Sequence, residues 1–147
     1  MKLDHRITVD APRAKVWAAL MDLPAAARCV PGARDIVPEG DAVGGILDVR
    51  VGPVRLALAG TIAIESRDEA GGTARLRANA EDARLGGAVR ALVDLALAGD
   101  GPTELRVSSD VAILGRIGEL GQPLIARQAD KVLAGFADCL RATVAAR

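Results

Sequence analysis

The sequence predicts an α+β fold: a curved antiparallel sheet of about seven strands wrapped around a long C-terminal helix, with two short helices after the first strand. Three observations carry this prediction. From about residue 33 to residue 114 apolar and polar residues mostly alternate, the period of strands with one buried and one wet face. The connections between these runs are short, so no βαβ crossover fits. From Gly115 to Arg147 the period changes to three and four: Ile117, Leu120, Leu124, Ile125, Gln128, Val132, Phe136, Leu140 and Val144 form one helical stripe.

Each element follows in order. Lys2–Val9 alternates, with Leu3, Ile7 and Val9 on one face. Asp10-Ala11-Pro12 then opens a helix, with Asp10 as the expected N-cap and Val16, Trp17 and Leu20 as its core face. Leu23-Pro24 starts a second short helix to about Cys29, which Pro31-Gly32 ends. Strands are predicted at Ala33–Glu39, Ile46–Val51 and Val54–Arg67. Gly60 interrupts the third of these, so a bulge or a close backbone approach is expected there. Three more strands are predicted at Thr73–Ala83, Ala88–Ala98 and Thr103–Leu114, with turns at Gly71-Gly72, Gly86-Gly87 and Asp100-Gly101. Pro123 cannot sit deep inside a helix without cost. The last segment is therefore expected as a short turn at Arg116–Leu120 followed by a main helix from Pro123, or as one kinked helix.

The chain has 147 residues, half of them apolar, which suits one domain over 1–147 and argues against disorder. Nineteen basic and nineteen acidic residues balance, so nucleic acid is not an expected partner. The N-terminal residues show no apolar signal region, and no apolar run approaches the ~18 residues of a membrane span. A soluble, cytoplasmic domain is expected, with peripheral contact at the inner face of the membrane as the further expectation. Cys29 and Cys139, both in apolar surroundings, are expected as two buried thiols.

Catalysis has little support in the residues. His5 is the one histidine, and its parity with Leu3 and Ile7 predicts a structural role at the edge of the core. One His and two separated Cys make no zinc site, and no phosphate or dinucleotide fingerprint is present. Glu81-Asp82 at a strand end is expected to be a solvated turn flank. No catalytic or metal-binding residue is assigned.

A long helix laid across a curved sheet points instead to a pocket between them. Its expected floor is Val49, Leu58, Leu76, Leu95, Val107 and Val111, with polar Ser109 at the same parity. Its expected roof is Leu120, Leu124, Ile125 and Gln128. Gln128 and Ser109 would need hydrogen-bond partners if buried, and a ligand carbonyl or a backbone group would serve. Arg84, Arg116 and Arg127 are exposed candidates for an anionic group or a partner.

The order of elements resembles the helix-grip fold of START-like proteins, and particular stretches resemble the carbon monoxide dehydrogenase G-subunit family. They are Ala11-Pro12-Arg13-Ala14-Lys15-Val16-Trp17-Ala18-Ala19-Leu20, Cys29-Val30-Pro31-Gly32, Val51-Gly52-Pro53-Val54, Gly60-Thr61, Gly115-Arg116-Ile117 and Phe136-Ala137-Asp138-Cys139-Leu140. The first pattern is shared by many START-like proteins, whereas the second and third in that order, with the ending, are more specific. The resemblance implies a non-catalytic accessory protein of a molybdenum-containing hydroxylase. It would bind an apolar molecule, a quinone or a lipid, carry no covalently bound cofactor, and help couple the enzyme to the membrane. The alternatives are an assembly factor acting through its outer surface and a START-like cyclase or hydrolase.

Overall fold

The computed structural model describes every residue, Met1–Arg147. Strand β1 (Lys2–Val9) leads into helices α1 (Arg13–Met21) and α2 (Leu23–Arg28). Six strands follow: β2 (Ala33–Glu39), β3 (Ala42–Val51), β4 (Val54–Asp68), β5 (Thr73–Glu81), β6 (Gly87–Gly99) and β7 (Thr103–Gly115). A 3-10 turn at Arg116–Leu120 then precedes helix α3 (Gln122–Ala146). The seven strands form one sheet in the order β1-β7-β6-β5-β4-β3-β2, each antiparallel to its neighbours.

Alternation places the faces as the sequence predicts. Leu105 and Val107 on β7, Leu95 and Leu97 on β6, and Ala74 and Leu76 on β5 are buried, while Arg106, Asp94 and Arg75 at the alternate positions are exposed. Gly60 stays in register between Gly45 and Ala80, so the bulge of β4 lies elsewhere, between Ile64 and Ser66. A Cβ at Gly60 would collide with the Asn79 carbonyl oxygen and sit 2.6 Å from the Ala80 Cα. Close backbone approach, the other expected reason for this glycine, is the one observed.

Pro123 falls in the first turn of α3, where its missing N–H costs nothing, and the preceding 3-10 turn is separate. The cap of α1 corrects one expectation. Pro12, not Asp10, is the N-cap, and the orphan N–H of Arg13 donates instead to Asp100 Oδ1 at 2.8 Å, from the β6–β7 turn. A side chain distant in sequence thus takes the role of a local cap.

The cysteines require a second correction. They are not free thiols: Cys29 and Cys139 are joined as a disulfide, with Cα atoms 5.3 Å apart. The apolar sequence neighbours predict burial, which holds for Cys29 at 6% exposure but not for Cys139, which is half-buried, and they carry no information on which residue lies opposite. The bond ties the C-terminal end of α2 to α3.

Candidate functional site

Burial divides the interior into two packed clusters. The larger one joins α1, the C-terminal half of α3 and one end of the sheet, with Val16, Leu20, Leu105, Leu140 and Val144 at its centre. The smaller one, at the opposite end, packs Val51, Leu56 and Ile117. Between them the inward side chains are only half-buried: Leu47, Leu58, Ala78, Ala80 and Val89 on the sheet. Facing helix α3 has no fully buried residue before Ala137. Two opposed apolar surfaces that fail to bury each other define a gap.

A cavity of about 240 Å³ lies on the sheet side of this region, and no residue of α3 lines it. Its floor is the concave face of β3, β4, β5 and β6, through Leu47, Leu58, Ile62, Ala78, Ala80 and Val89. Its wall is α2 and β2, through Ala27, Val30, Ala33 and Ile36. Small side chains make the space. Two glycines, Gly45 and Gly60, face each other across β3 and β4, and Ala80 opposite Gly60 and Ala78 beside it continue the small residues onto β5. The lining carries no charged residue; its polar members, Thr61 and Asn79, alternate with the floor residues Ile62, Ala78 and Ala80 and turn their exposed side chains to the outer face.

Of the expected pocket residues, Leu58 lines this cavity. Leu76, Leu95 and Val107 belong to the larger packed cluster. Val49, Leu120, Leu124 and Ile125 are half-buried around the smaller one. Ser109, Val111 and Gln128 are half-buried and lie outside the lining. Periodicity alone does not reveal the α2–β2 wall. The signal available for it is the Cys29-Val30-Pro31-Gly32 segment, whose Val30 faces the space.

The titratable groups lie around this site rather than in it. His5 Nε2 is 2.8 Å from Asp130 Oδ1, which links β1 to α3; its Nδ1 is buried without a partner. Asp82 corrects the expectation of a solvated turn flank, because it is 3% exposed. Its Oδ1 accepts the N–H groups of Arg84 and Leu85, and its Oδ2 accepts that of Ala57, each at 2.8 Å. The Leu85 N–H above all, helped by Ala57 and Arg84 against the opposing effect of burial, holds the carboxyl below the usual carboxylate range. The carboxylate takes the place of ladder partners just where β5 stops pairing with β4. On the outer face, Arg75 donates to Asp94 and holds its carboxyl below the ordinary value.

Exposed charge is sorted along the strands. One end of the sheet carries acids in every connection: Asp10, Glu39 and Asp41, Asp68 and Glu69, and Asp100. The other end carries Arg50 and Arg55 on the β3–β4 hairpin, Arg84 before β6, Arg116 after β7 and Arg127 early in α3. Arg50 and Arg55 stand directly opposite each other. Asp48, Glu81 and Glu119 are exposed acids at that end, and Asp48 is paired with Arg34.

A family model for the G subunit of carbon monoxide dehydrogenase (CoxG) matches residues 6–145. The chain belongs to that family. CoxG is by name an associate of the carbon monoxide dehydrogenase complex. No curated protein matches the chain in sequence. Among solved structures, a conserved protein from Geobacillus kaustophilus is similar at 20% identity with a TM-score of 0.87, over 99% of this chain and 95% of that one. A START superfamily protein from Mycobacterium smegmatis is similar at 14% identity and a TM-score of 0.64, over 97% and 96%. The Zhui aromatase/cyclase of Streptomyces sp. R1128 is similar at 18% identity and a TM-score of 0.67, over 98% and 93%. At these identities the likeness establishes the fold, which is the START-like helix grip. Family and fold together support a ligand-binding accessory role for this CoxG family member.

Proposed function

We propose that this protein is a non-catalytic accessory component of a molybdenum-containing carbon monoxide dehydrogenase-type hydroxylase. It holds an apolar small molecule, a quinone or a lipid, between the sheet and the helices. The observation that carries this reading is the gap between two packed clusters, lined almost wholly by apolar groups. Ligand sites of small molecules typically occupy about 300–1,000 Å³, so about 240 Å³ suits a ring or headgroup rather than a whole isoprenoid quinone. A tail would run under the N-terminal half of α3, whose inward residues are half-buried. The lining offers a bound molecule no titratable acid or base, which favours binding over the cyclase chemistry named for the Zhui structural neighbour.

Thermal shift with short-chain menaquinone analogues tests the reading. A rise in melting temperature is expected, and it should be lost in Ala78→Leu, which fills the floor. No shift with any apolar ligand, or an equal shift in the filled variant, would refute binding in this cavity.

Coupling to the membrane is the second part of the proposal. No helix is long and apolar enough to cross a membrane. The arginine-bearing end of the molecule supports peripheral contact with anionic lipid instead. Sedimentation with vesicles should show binding to phosphatidylglycerol and not to phosphatidylcholine, weakening with salt. Arg50→Glu with Arg55→Glu should abolish it; binding that ignores lipid charge would rule out this surface.

A further inference from the structure

The Cys29-Val30-Pro31-Gly32 segment is prominent in the sequence, yet ligand binding occupies only Val30. The structure gives the other three a shared task. Cys29 ends α2 and is bonded to Cys139 of α3. Pro31 lies against α3 at Gly135, where an added Cβ would come 2.5 Å from the proline ring. Gly32, with φ at +87°, brings its carbonyl to the Asp48 N–H of β3 at 2.9 Å, and a side chain there would strike the Asp48 carbonyl. Four consecutive residues therefore join the wall of the cavity to α3 and to the sheet. The disulfide is the covalent member of that joint, since α2 packs otherwise chiefly on α1, β2 and β3.

We propose that Cys29 and Cys139 form a redox-controlled latch on the cavity, closed as the disulfide and released by a dithiol reductant. The proposal rests on the ligand-binding reading for what the latch controls, and on the joint alone for the fact that it moves. A reductant thiolate attacks Sγ of Cys139, which is half-buried where Cys29 is 6% exposed. The S–S bond breaks and Cys29 leaves as a thiolate, then takes up a proton. Thr143 Oγ1, 3.6 Å from the Cys29 sulfur, is placed to donate to it. The reductant's second thiol displaces Cys139 from the mixed disulfide, and Cys139 is protonated in turn. Two electrons and two protons pass to the protein, and the reductant is left as its own disulfide.

The movement follows from the loss of a covalent tie. Reduction leaves the Pro31–Gly135 packing and the Gly32–Asp48 hydrogen bond as remaining contacts of this joint with α3 and the sheet. Neither fixes α2 to α3 as a bond between Cys29 and Cys139 does. Helix α3 is anchored beyond this point by Leu140 and Val144, and α2 is anchored at its start by Leu23, so the segment from there through the start of β2 is the part that gives. That same segment holds Ala27, Val30, Ala33 and Ile36 against the cavity.

The test uses the full chain, oxidised and dithiothreitol-reduced, with thiols counted by maleimide mass tagging. Hydrogen exchange reads the joint directly, and a menaquinone analogue with one isoprenoid unit reads the cavity. Reduction should speed exchange in residues 23–36 at least tenfold while β6 and β7 stay unchanged. It should also raise the dissociation rate of the quinone at least tenfold. Cys29→Ser with Cys139→Ser should behave like the reduced protein in either buffer, and the reduced natural chain serves alone if that variant does not fold. If the joint opens but quinone binds neither form, the latch stands and the ligand assignment falls. Equal exchange in the two verified redox states overturns the latch, as do free thiols in the oxidised protein or a quinone off-rate that ignores reduction.

Discussion

Asp82 shows how one side chain replaces a piece of secondary structure. Strand β5 stops pairing with β4 at Glu81, which would leave the Ala57 N–H facing nothing. The Asp82 carboxylate fills that place and also caps the turn that starts β6. Asp82→Ala would leave three N–H groups to find new partners, a loss on the order of 3 kcal/mol by the usual cost of buried charge-assisted bonds. Asp82→Asn keeps the Oδ1 acceptor for Arg84 and Leu85 but can set an amide N–H₂ against the Ala57 N–H. Its cost should be smaller and concentrated at the β4 edge. The pH dependence has a fixed sign. The folded carboxyl titrates below its unfolded value, so its stabilisation is complete above the usual carboxylate range and is lost as pH falls through the depressed value. Urea unfolding between pH 6 and pH 3 should show the natural chain losing stability more steeply than Asp82→Asn. Parallel curves would mean that the carboxylate is not the source.

Helix α3 behaves as two elements under one hydrogen-bond ladder. Its first half, Gln122–Gly135, presents half-buried residues to a sheet that does not meet them; its second half buries Ala137, Leu140 and Val144. Local opening should be easier where less apolar surface is lost from packing. Hydrogen exchange is therefore expected to be faster in 124–134 than in 137–145. The reverse order would mean that the cavity side of the helix is held by something other than packing. The extent of this element is largely legible in sequence: Pro123 marks its start and the stripe from Leu124 to Val144 marks its face. What the stripe cannot convey is which inward residues find a partner. Leu124 and Leu140 have the same pattern and the same chemistry, yet one is half-buried and the other is 1% exposed. Periodicity reports direction, whereas burial depends on how far the sheet curves towards each turn of the helix. For the same reason alternation places the strands within a few residues but does not separate the pocket floor from the packed core. Leu58 and Leu76 share a parity but lie on opposite sides of the boundary between gap and core.

Across the whole molecule, the features hidden from the sequence are those made by residues far apart in it. The α2–β2 wall, the Asp100 cap on α1 and the Cys29–Cys139 bond all join segments whose local patterns say nothing about each other. The disulfide has the largest energetic consequence of the three, because 110 residues separate its two ends. Closing a loop of that size removes conformational freedom chiefly from the unfolded chain. On the chain-entropy account this is worth about 4–5 kcal/mol at 25 °C. For a domain of this length the urea dependence of stability is roughly 2 kcal/mol per molar. Reduction should therefore lower the urea midpoint by about 2 M. It should also steepen the transition, since the unlinked chain expands further and exposes more surface. Unfolding followed by intrinsic Trp17 fluorescence, with thiols counted at each point, makes the measurement. A shift below about 0.5 M would show that the native fold gives back most of this stabilisation at the α2–α3 joint. A full shift would show the bond acting mainly on the unfolded chain, with the folded joint relaxed in its closed form.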